Sequence, residues 1–296
     1  MNKYALISVS NKTGIETLAM ELESLGYKIL STSNTAKHLK QFCSSLVQVS
    51  DYTGFPEILN GRVKTLHPKI HGAILADRDN EQHLRSLEEH GIDHIDIVVV
   101  NLYPFANVRM KENASHSEII ENIDIGGPSL IRAAAKNFRN VTVLCDPKDY
   151  APTLEHLKQD SHVPECWSSY LAQKAFALVS HYDAIIAEYL EDFRCDQYPE
   201  PEMPPYLDLS CSMHQALRYG ENPHQKAAFY TNRPDGWECL HGKELSFNNI
   251  LDIDASLRAI RLFPEPTVII IKHCNPCGIG SGNNLAEAYR KAFATD

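Results

Sequence analysis

The sequence predicts an α/β fold in which a parallel sheet carries helices on both faces. Short apolar runs alternate with segments of helical spacing through the first 150 residues. The run Ile95–Val100 is almost wholly apolar, which is typical of a strand buried on both faces. Gly26 and Gly91 follow two of the predicted helices, where glycine commonly ends a helix. Strands that alternate with helices favour parallel pairing, because each crossover helix returns the chain to the same edge of the sheet.

The elements of residues 1–150 follow in order from this pattern. Apolar side chains at Ile15, Leu18 and Leu22 define the first helix by their spacing. The predicted strands are Tyr4–Ser8, Tyr27–Leu30, Leu46–Val49, Ile95–Val100 and Val141–Cys145. The predicted helices are Thr13–Leu25, Ala36–Phe42, Gln82–His90, Ser117–Ile123 and Ser129–Asn137.

A helical extension and a linker separate this first domain from a second one. Residues 151–193 have helical character throughout, and we assign residues 151–197 to the extension. Residues 198–205 contain four prolines, which is a linker signal. Residues 206–296 form the second predicted domain, with turns around Gly236 and Gly242. Its predicted elements are a helix at Ile253–Leu262, a β-branched strand at Thr267–Ile271 and a helix at Leu285–Ala294.

Composition and charge exclude several function classes. The formal net charge of −10 argues against a nucleic-acid binder that works by bulk charge. The sequence has no apolar run of about 18 residues, so we predict no membrane span. The apolar part of the N-terminus is too short for a signal peptide, and we expect a cytoplasmic location with eight free cysteines. Cys274 and Cys277 lack a second ligand pair, so no metal site is predicted.

A cationic stretch between Gly61 and Gly72 stands out in this acidic chain. Its five basic side chains are Arg62, Lys64, His67, Lys69 and His71. The glycines and the internal proline predict a loop rather than a regular helix. Such a loop suits an anion, most simply a phosphate, although a solvated basic surface would have the same composition.

Polar segments follow several predicted strands and should converge at one edge of the sheet. They are residues 8–13, 31–35, 61–72, 101–105 and the region of Asp124. Ligands of parallel α/β sheets bind beyond the carboxyl ends of the strands. Residues 8–14 offer hydroxyls, a lysine and helix-start amides to a phosphate, although Ser10 or Asn11 could equally be a helix cap.

Three further side chains are candidates for chemistry, and each has a structural alternative. Tyr103 precedes Pro104 and is held extended, but strand-end tyrosines often only pack. Asp124 precedes a helix start and could be its N-cap. Lys136 lies late in that helix, where it would complement the helix dipole. A carboxylate and a lysine could also hold a reacting amine and an oxyanion.

Seven segments together resemble one known family. They are Ser8-Val-Ser-Asn-Lys-Thr-Gly14, the run from Gly61 to Leu75, Asn101-Leu-Tyr-Pro104, Asp124-Ile-Gly-Gly127 with Arg132 to Asn137, Leu217 to Gln225, Ser246-Phe-Asn-Asn249 and Lys272-His-Cys-Asn-Pro-Cys-Gly278. In this order they resemble the bifunctional purine-biosynthesis family that joins IMP cyclohydrolase to AICAR formyltransferase. The resemblance spans essentially the whole chain.

The resemblance implies a methylglyoxal-synthase-like parallel-sheet domain followed by a cytidine-deaminase-like formyltransferase domain. The first would convert formyl-AICAR to IMP with loss of water and without a cofactor. The second would transfer a formyl group to AICAR from the co-substrate 10-formyltetrahydrofolate. The formyltransferase domain of the family continues beyond residue 296, so we expect this domain to be incomplete here and transfer to be impaired. The resemblance also implies a homodimer.

The resemblance assigns roles to individual side chains. The implied catalytic residues are Lys64, Tyr103, Asp124, Lys136, Lys272 and His273. The implied substrate-binding residues are Ser10, Lys12, Thr13, Ser33, Asn34, Arg62, Thr65, Asn101, Gly126, Gly127, Arg218, Tyr219, His224 and Asn249. We interpret Asp124 as the orienting base and Lys64 with Tyr103 as the proton and oxyanion groups. The division of roles between Lys64 and Lys136 stays open.

One departure from the family pattern concerns the second phosphate-facing turn. The family usually has glycines where this chain has Ser33 and Asn34, although asparagine tolerates positive φ. Two other functions on such a fold are a nucleotide-binding regulatory module without catalysis and a phosphate-eliminating lyase. Asp124 with Lys136, and the Lys272-His273 pair, favour the enzyme over the regulatory module.

Overall fold

The computed structural model describes residues 2–111, 113–191, 211–231 and 239–295. The chain divides into two compact units, residues 1–205 and 206–296. The predicted linker at 198–205, the end of the helical extension at 192–197 and the turn at Gly236 lie outside the described residues.

Five parallel strands form the sheet of the first unit, which confirms the predicted α/β class. The strands are β1 (Lys3–Val9), β2 (Lys28–Ser31), β3 (Leu46–Gln48), β4 (His94–Asn101) and β5 (Thr142–Leu144). Their order in the sheet is β3-β2-β1-β4-β5. The apolar side chains of the central strands β1 and β4 are almost fully buried, because helices cover both faces.

Ten helices belong to the described part of the first unit. They are α1 (Ile15–Ser24), α2 (Ser33–Leu39), α3 (Val49–Thr53), α4 (Pro68–Leu75), α5 (Glu81–Glu89), α6 (Phe105–Arg109), α7 (His116–Glu121), α8 (Gly126–Lys136), α9 (Tyr150–Asp160) and α10 (Glu165–Glu191). The predicted helical spacing of α1 is confirmed, since Ile15, Leu18 and Leu22 face the core. The short helices α3 and α6 were not predicted, because neither spans enough residues to show a period.

One prediction for this unit is wrong. The cationic stretch is not a loop throughout, because α4 begins at Pro68. A proline suits the first helical position, and the His67 ring nitrogen Nδ1 accepts the amide of Lys69 as an N-cap. The predicted helical character of residues 151–193 is found, within the described residues, as two helices. Ser161 adopts a left-handed conformation that ends α9, and α10 starts after Pro164.

A small second apolar cluster lies beside the main core. Phe105 and Val108 of α6, Ile119 of α7, and Tyr182 and Tyr189 of α10 are its buried members. It joins the end of the long helix α10 to the two short helices that follow β4. The segment between α7 and α8 therefore rests on α10. The described helices include none that is both long and apolar enough to cross a membrane.

Antiparallel pairs of strands characterise the described part of the second unit. Its elements are β6 (Ser212–Leu217), β7 (Ala227–Thr231), α11 (Phe247–Ile260), β8 (Thr267–Lys272), β9 (Asn275–Ser281) and α12 (Leu285–Phe293). β6 pairs with β7, and β8 pairs with β9. Sequence reasoning missed β9 because proline and glycine argue against a strand. Gly278 and Gly280 are needed there, since a Cβ on either would lie within 2.4 Å of a carbonyl oxygen of α12.

The turn Leu59–Gly61 holds three consecutive residues at positive φ. Their φ angles are 54°, 55° and 85°, and the first belongs to a leucine whose side chain is 66% exposed. A backbone bridge between Ile58 and Val63 closes the turn. Leucine is strained in this region, whereas asparagine adopts it more readily.

We therefore expect Leu59→Asn to raise the free energy of unfolding by about 0.5–1 kcal/mol, because it relieves backbone strain and removes little buried area. Urea denaturation followed by far-ultraviolet circular dichroism would measure the change. The control is Leu75→Asn at the end of α4, where φ is negative and the leucine is 38% exposed. That variant should lose stability, and a loss of equal size in both variants would contradict the strain argument.

Candidate active site

A cavity of about 800 Å³ opens at the carboxyl edge of the parallel sheet. Its volume lies within the range of small-molecule sites. The predicted site residues that line it are Ser10, Lys12, Asn34, Arg62, Lys64, Thr65, Asn101, Tyr103, Asp124, Gly126 and Gly127. The structure thus brings together residues from four of the strand-end segments and the start of α8, as the strand-end rule predicts.

Asn101 ties the first phosphate-facing loop to the end of β4. Its Oδ1 accepts the amides of Ser10 and Asn11 at 2.6 and 2.9 Å, and its Nδ2 donates to the carbonyl of Asn11 at 2.9 Å. Strand register makes this possible, since Val9 pairs with Asn101. The side chain predicted to touch substrate therefore also fixes the backbone of its neighbour loop.

Lys12 lies against the end of β1 and the first turn of α2. Its ammonium donates to the carbonyl of Val9 and to Thr35 Oγ1, the latter at 3.0 Å. Burial lowers the pKa of Lys12 from its ordinary value. The hydroxyls of Ser8 and Thr32 meet nearby at 3.1 Å, and both line the cavity. This end of the cavity offers one cation and several neutral donors, a combination that suits a phosphate.

Asp124 also lines the cavity and lies in the turn that leads into α8. Gly127 donates its amide to Asp124 Oδ1 at 2.8 Å, and the amides of Tyr103 and Gly126 also stabilise the carboxylate. The approach is close, because a Cβ on Gly127 would lie 2.4 Å from Asp124 Oδ2. Glycine is therefore required at position 127 for this arrangement.

The protonation of Asp124 is set by two opposed effects. Burial raises the pKa of the carboxyl, whereas the three amides and the charge of Lys64 lower it. Burial dominates, so the pKa of Asp124 is raised from its ordinary value. Burial, followed by the charges of Asp124 and Glu57, also raises the pKa of Tyr103. The cavity thus holds a carboxyl with raised proton affinity, a phenol that stays protonated and a neighbouring lysine.

Two of the residues predicted to face the phosphate are paired with carboxylates of the same chain. Glu57 Oε1 accepts both the hydroxyl and the amide of Ser33. Arg62 forms an exposed ion pair with Glu121, with its Nε 3.2 Å from Oε1. Arg62 and Glu121 both line the cavity, whereas Ser33 does not. The Ser33 contact explains how this chain uses a serine where the family usually has glycine.

Three predicted residues of the first unit do not line the cavity. Thr13 instead donates its hydroxyl to Asn11 Oδ1 at 2.7 Å, a local contact that competes with ligand binding. Ser33 is turned toward Glu57. Lys136 is exposed at the last residue of α8, about 15 Å along the helix axis from Gly126. Within one chain, the geometry does not support placing Lys136 beside the reacting groups.

The predicted residues of the second unit are distributed along α11 and two turns. Asn249 Oδ1 accepts from the backbone and hydroxyl of Ser246, so it forms the capping box of α11. Arg218 donates to the Tyr219 hydroxyl at 3.3 Å, and this contact is the main cause that lowers the pKa of Tyr219. His224 is exposed in the turn before β7.

Lys272 and His273 lie at the hairpin between β8 and β9, and both are exposed. His273 and Cys274 have φ angles of 52° and 61°, which are unusual for residues other than glycine or asparagine. Asp252 of α11 accepts the amide of Cys274 at 2.8 Å and thereby fixes this turn. The histidine predicted to move a proton is therefore presented by a strained, braced turn.

Sequence reasoning missed the carboxylates of Glu57 and Glu121 and the phenol of Tyr182, whose hydroxyl accepts the amide of Asp124. These contacts join residues 24, 59 and 58 positions apart, and no local pattern marks them. The only signal for Tyr182 in the sequence was a tyrosine on the apolar face of a predicted helix, where its buried hydroxyl would need a hydrogen-bond partner.

Groups of three metal-ligating side chains do not occur among the described residues. The seven described cysteines are free thiols, including Cys274 and Cys277. His67 serves as the cap of α4, and neither Lys69 nor His71 lines the cavity. The side chains that line the cavity include carboxyl, phenol, ammonium, guanidinium and hydroxyl groups.

Comparison with known families divides the chain into two matches. A family model described as an MGS-like domain matches residues 14–129. A model described as the AICARFT/IMPCHase bienzyme matches residues 134–296, more than half of the chain. The crystal structure of ForH superposes with a TM-score of 0.58 and 38% identity, over 63% of this chain and 96% of that chain.

Curated relatives extend over the full chain. The bifunctional purine biosynthesis protein PurH of Thermoanaerobacter sp. (strain X514) is 53% identical over 301 residues, which cover 100% of this chain. PurH of Bacillus subtilis (strain 168) is 48% identical over 300 residues and 99% of the chain. The chain spans 58% of the length of each of these relatives. By its sequence, its sheet topology and the residues of its cavity, the chain belongs to the AICARFT/IMPCHase bienzyme family.

Proposed function

We propose that the first unit is an IMP cyclohydrolase that closes the purine ring of formyl-AICAR. The observation that carries this proposal is the Asp124 carboxyl, held by the Gly127 amide at the cavity wall with its pKa raised by burial. A carboxyl of raised pKa is suited to take a proton from a substrate amide near neutral pH. Membership of the family supports the assignment.

The nucleotide would bind with its phosphate toward Lys12 and its base toward Asp124. Lys12, Ser10 and Thr32 line the phosphate end, and Asp124 with Tyr103 lines the other. Asn101, which braces the loop at Ser10, lies at the end of β4 beside the cavity. In this arrangement the ends of β1 and β4 would position the phosphate and the turn before α8 would position the reacting groups, and an intramolecular reaction requires such fixed placement.

Ring closure needs positioning, proton transfer and stabilisation of one oxyanion. The carboxamide nitrogen bonds to the formyl carbon, and the formyl oxygen leaves as water with one proton from each of the two nitrogens. In this scheme Asp124 orients the carboxamide and accepts its proton. Tyr103, whose raised pKa keeps it protonated, and Lys64 donate to the oxygen as its charge develops.

For the second unit we propose a part of the formyltransferase, with 10-formyltetrahydrofolate as co-substrate and AICAR as acceptor. The match of the bienzyme family model to residues 134–296 supports this. The strained turn that carries His273, next to Lys272, is its candidate proton-transfer group. The expected homodimer and cytoplasmic location stay predictions.

The first test is Asp124→Asn in the whole chain, supplied with formyl-AICAR while IMP formation is followed by absorbance. Asparagine keeps Oδ1 to accept the Gly127 amide but cannot take a proton. We expect kcat to fall by about 10²–10⁴-fold with the fold preserved. Asp51→Asn, an exposed control on α3, should leave kcat unchanged. Tight IMP binding without turnover by the unaltered chain would instead favour the regulatory module.

The pH dependence provides a second test of Asp124. Because its folded pKa is raised, activity should be present above that pKa and be lost as pH falls through it, at a pH above the ordinary value for aspartate near 3.9. Ionisation of Asp124 also costs stability, so the wild-type Tm should fall relative to Asp124→Asn as pH rises through the same window. An identical Tm difference at every pH would contradict the raised pKa.

Glu121 allows a test of phosphate binding. Glu121 pairs with Arg62 at the cavity, so a phosphate must compete with this carboxylate for the guanidinium. We expect Glu121→Gln to lower KM by about two- to fivefold with kcat unchanged, because the pair is exposed and weak. The control is Glu118→Gln, the same charge change on α7 away from the cavity. A KM that rises in Glu121→Gln would show that the pair instead positions Arg62 for substrate.

A further inference from the structure

Tyr182 holds the turn that carries Asp124, although it does not line the cavity. It lies on α10, and its side chain is buried in the second apolar cluster, where its ring meets that of Phe105 edge-on at 6.2 Å. Its hydroxyl oxygen accepts the amide of Asp124 at 2.8 Å, and its O–H donates to the carbonyl of Asn122 at 3.3 Å. The Tyr182 hydroxyl therefore forms hydrogen bonds with backbone groups of the first and the last residue of segment 122–124.

The amide of Asp124 lies between two helices and takes part in the backbone hydrogen bonds of neither. The last turn of α7 ends where the Ile123 amide donates to the carbonyl of Ile120. α8 begins only at Gly126. The amide of Asp124 lies between these points, so a side chain must satisfy it if it is to be buried. Tyr182 supplies that acceptor from 58 residues away in the sequence.

The position of the Asp124 backbone matters because its carboxylate is closely confined. Asp124 Oδ1 accepts the Gly127 amide, while Oδ2 lies where any Cβ on Gly127 would clash at 2.4 Å. A displacement of the backbone by a fraction of an ångström would misalign these amides. Misalignment of a catalytic group by about 1 Å is enough to cost up to about 100-fold in rate.

We propose that Tyr182 is a positioning residue for ring closure, whose hydroxyl fixes the Asp124 backbone so that the carboxylate faces both the helix-start amides and the cavity. This inference rests on the cyclohydrolase function proposed for the first unit. It assigns a role in the chemistry to the extension helix α10, which packs along the core of the sheet domain. The groups that face Asp124 are Lys64, Tyr103 and Tyr182 itself.

The test compares Tyr182→Phe with a matched control in the same cluster. Tyr189→Phe also removes one buried phenolic hydroxyl of α10, which contacts His116 Nδ1 at 2.8 Å rather than the Asp124 turn. We expect Tyr182→Phe to lower kcat for IMP formation by about tenfold with KM within twofold, and Tyr189→Phe to leave both constants unchanged. The acidic limb of the kcat profile should move to higher pH in Tyr182→Phe alone, because a misaligned carboxylate loses amide hydrogen bonds that stabilise its charge.

A second measurement does not depend on turnover. In protein labelled with ¹³C-aspartate, the carboxyl signal of Asp124 is identified by its absence in Asp124→Asn and titrated in the wild type and both tyrosine variants. The titration midpoint should be higher in Tyr182→Phe than in the wild type and unchanged in Tyr189→Phe. Equal midpoints in all three proteins, or equal kcat values in the two variants, would overturn the inference.

Failure of the proposed function has a different signature. If the folded wild-type chain forms no IMP, the cyclohydrolase assignment fails, and the role of Tyr182 in ring closure fails with it. If the wild type is active but Tyr182→Phe loses activity through a higher KM with an unmoved acidic limb, the hydroxyl has only a structural role. Circular dichroism at the assay temperature would check that each variant is folded. We expect both to fold, because phenylalanine keeps the ring that packs in the cluster.

Discussion

Parallel pairing of β1 with β2 and β4 is the constraint on which the cavity depends. The register matches Ile7 with Ser31 on one side and Val9 with Asn101 on the other. β1 and β4 therefore end at the same level, β2 ends opposite Ile7 just before it, and the polar segments that follow the three strands lie in one region. The helices then close that region, because each must return over the buried face of the sheet to begin the next strand.

Two side chains near the cavity hydrogen-bond to backbone groups and so fix the segments that carry other site residues. Asn101 bonds three backbone groups of the loop at Ser10 and Asn11, and Tyr182 bonds two around Asp124. The contacts of Asn101 hold the exposed loop at Ser10 and Asn11, whereas Tyr182 supplies partners to partly buried backbone groups between α7 and α8. Two side chains that are distant in sequence therefore fix the backbone at the predicted phosphate loop and at Asp124.

The elements that sequence reasoning predicted well are those with a strong period. The buried run at β4 and the apolar spacing of α1 are visible in a few residues, because burial on two faces or on one stripe dictates them. The two central residues of the hairpin turn at Lys272 to Asn275, His273 and Cys274, are not the glycine or asparagine that usually marks a two-residue turn, so β8 and β9 were not recognised as a pair. Contacts with α11 and α12 stabilise the β8–β9 hairpin, although its local sequence disfavours a hairpin.

Candidate site residues divide in the same way. Family motifs located the lining of the cavity, but they gave no information on which side chain each donor meets. Thr13 lies within a motif and Ser33 in the predicted second phosphate-facing turn, yet their side chains bond to Asn11 and Glu57. Lys136 shares a motif with Asp124, yet a helix rises 1.5 Å per residue and carries it away from the cavity. A position within a family motif therefore does not by itself show that a side chain lines the cavity.

The net negative charge of the chain affects how its cationic stretch can bind an anion. A guanidinium at an open cavity in a protein of net charge −10 attracts carboxylates of its own chain, and Arg62 is found with Glu121. On the proposed function, a phosphate must displace that carboxylate. On this proposal we expect the exchange to be favourable, because a phosphate carries more charge than a carboxylate and more acceptor oxygens, whereas the exposed pair it replaces is screened by water. We therefore expect the pair to hold Arg62 at the cavity without excluding a nucleotide.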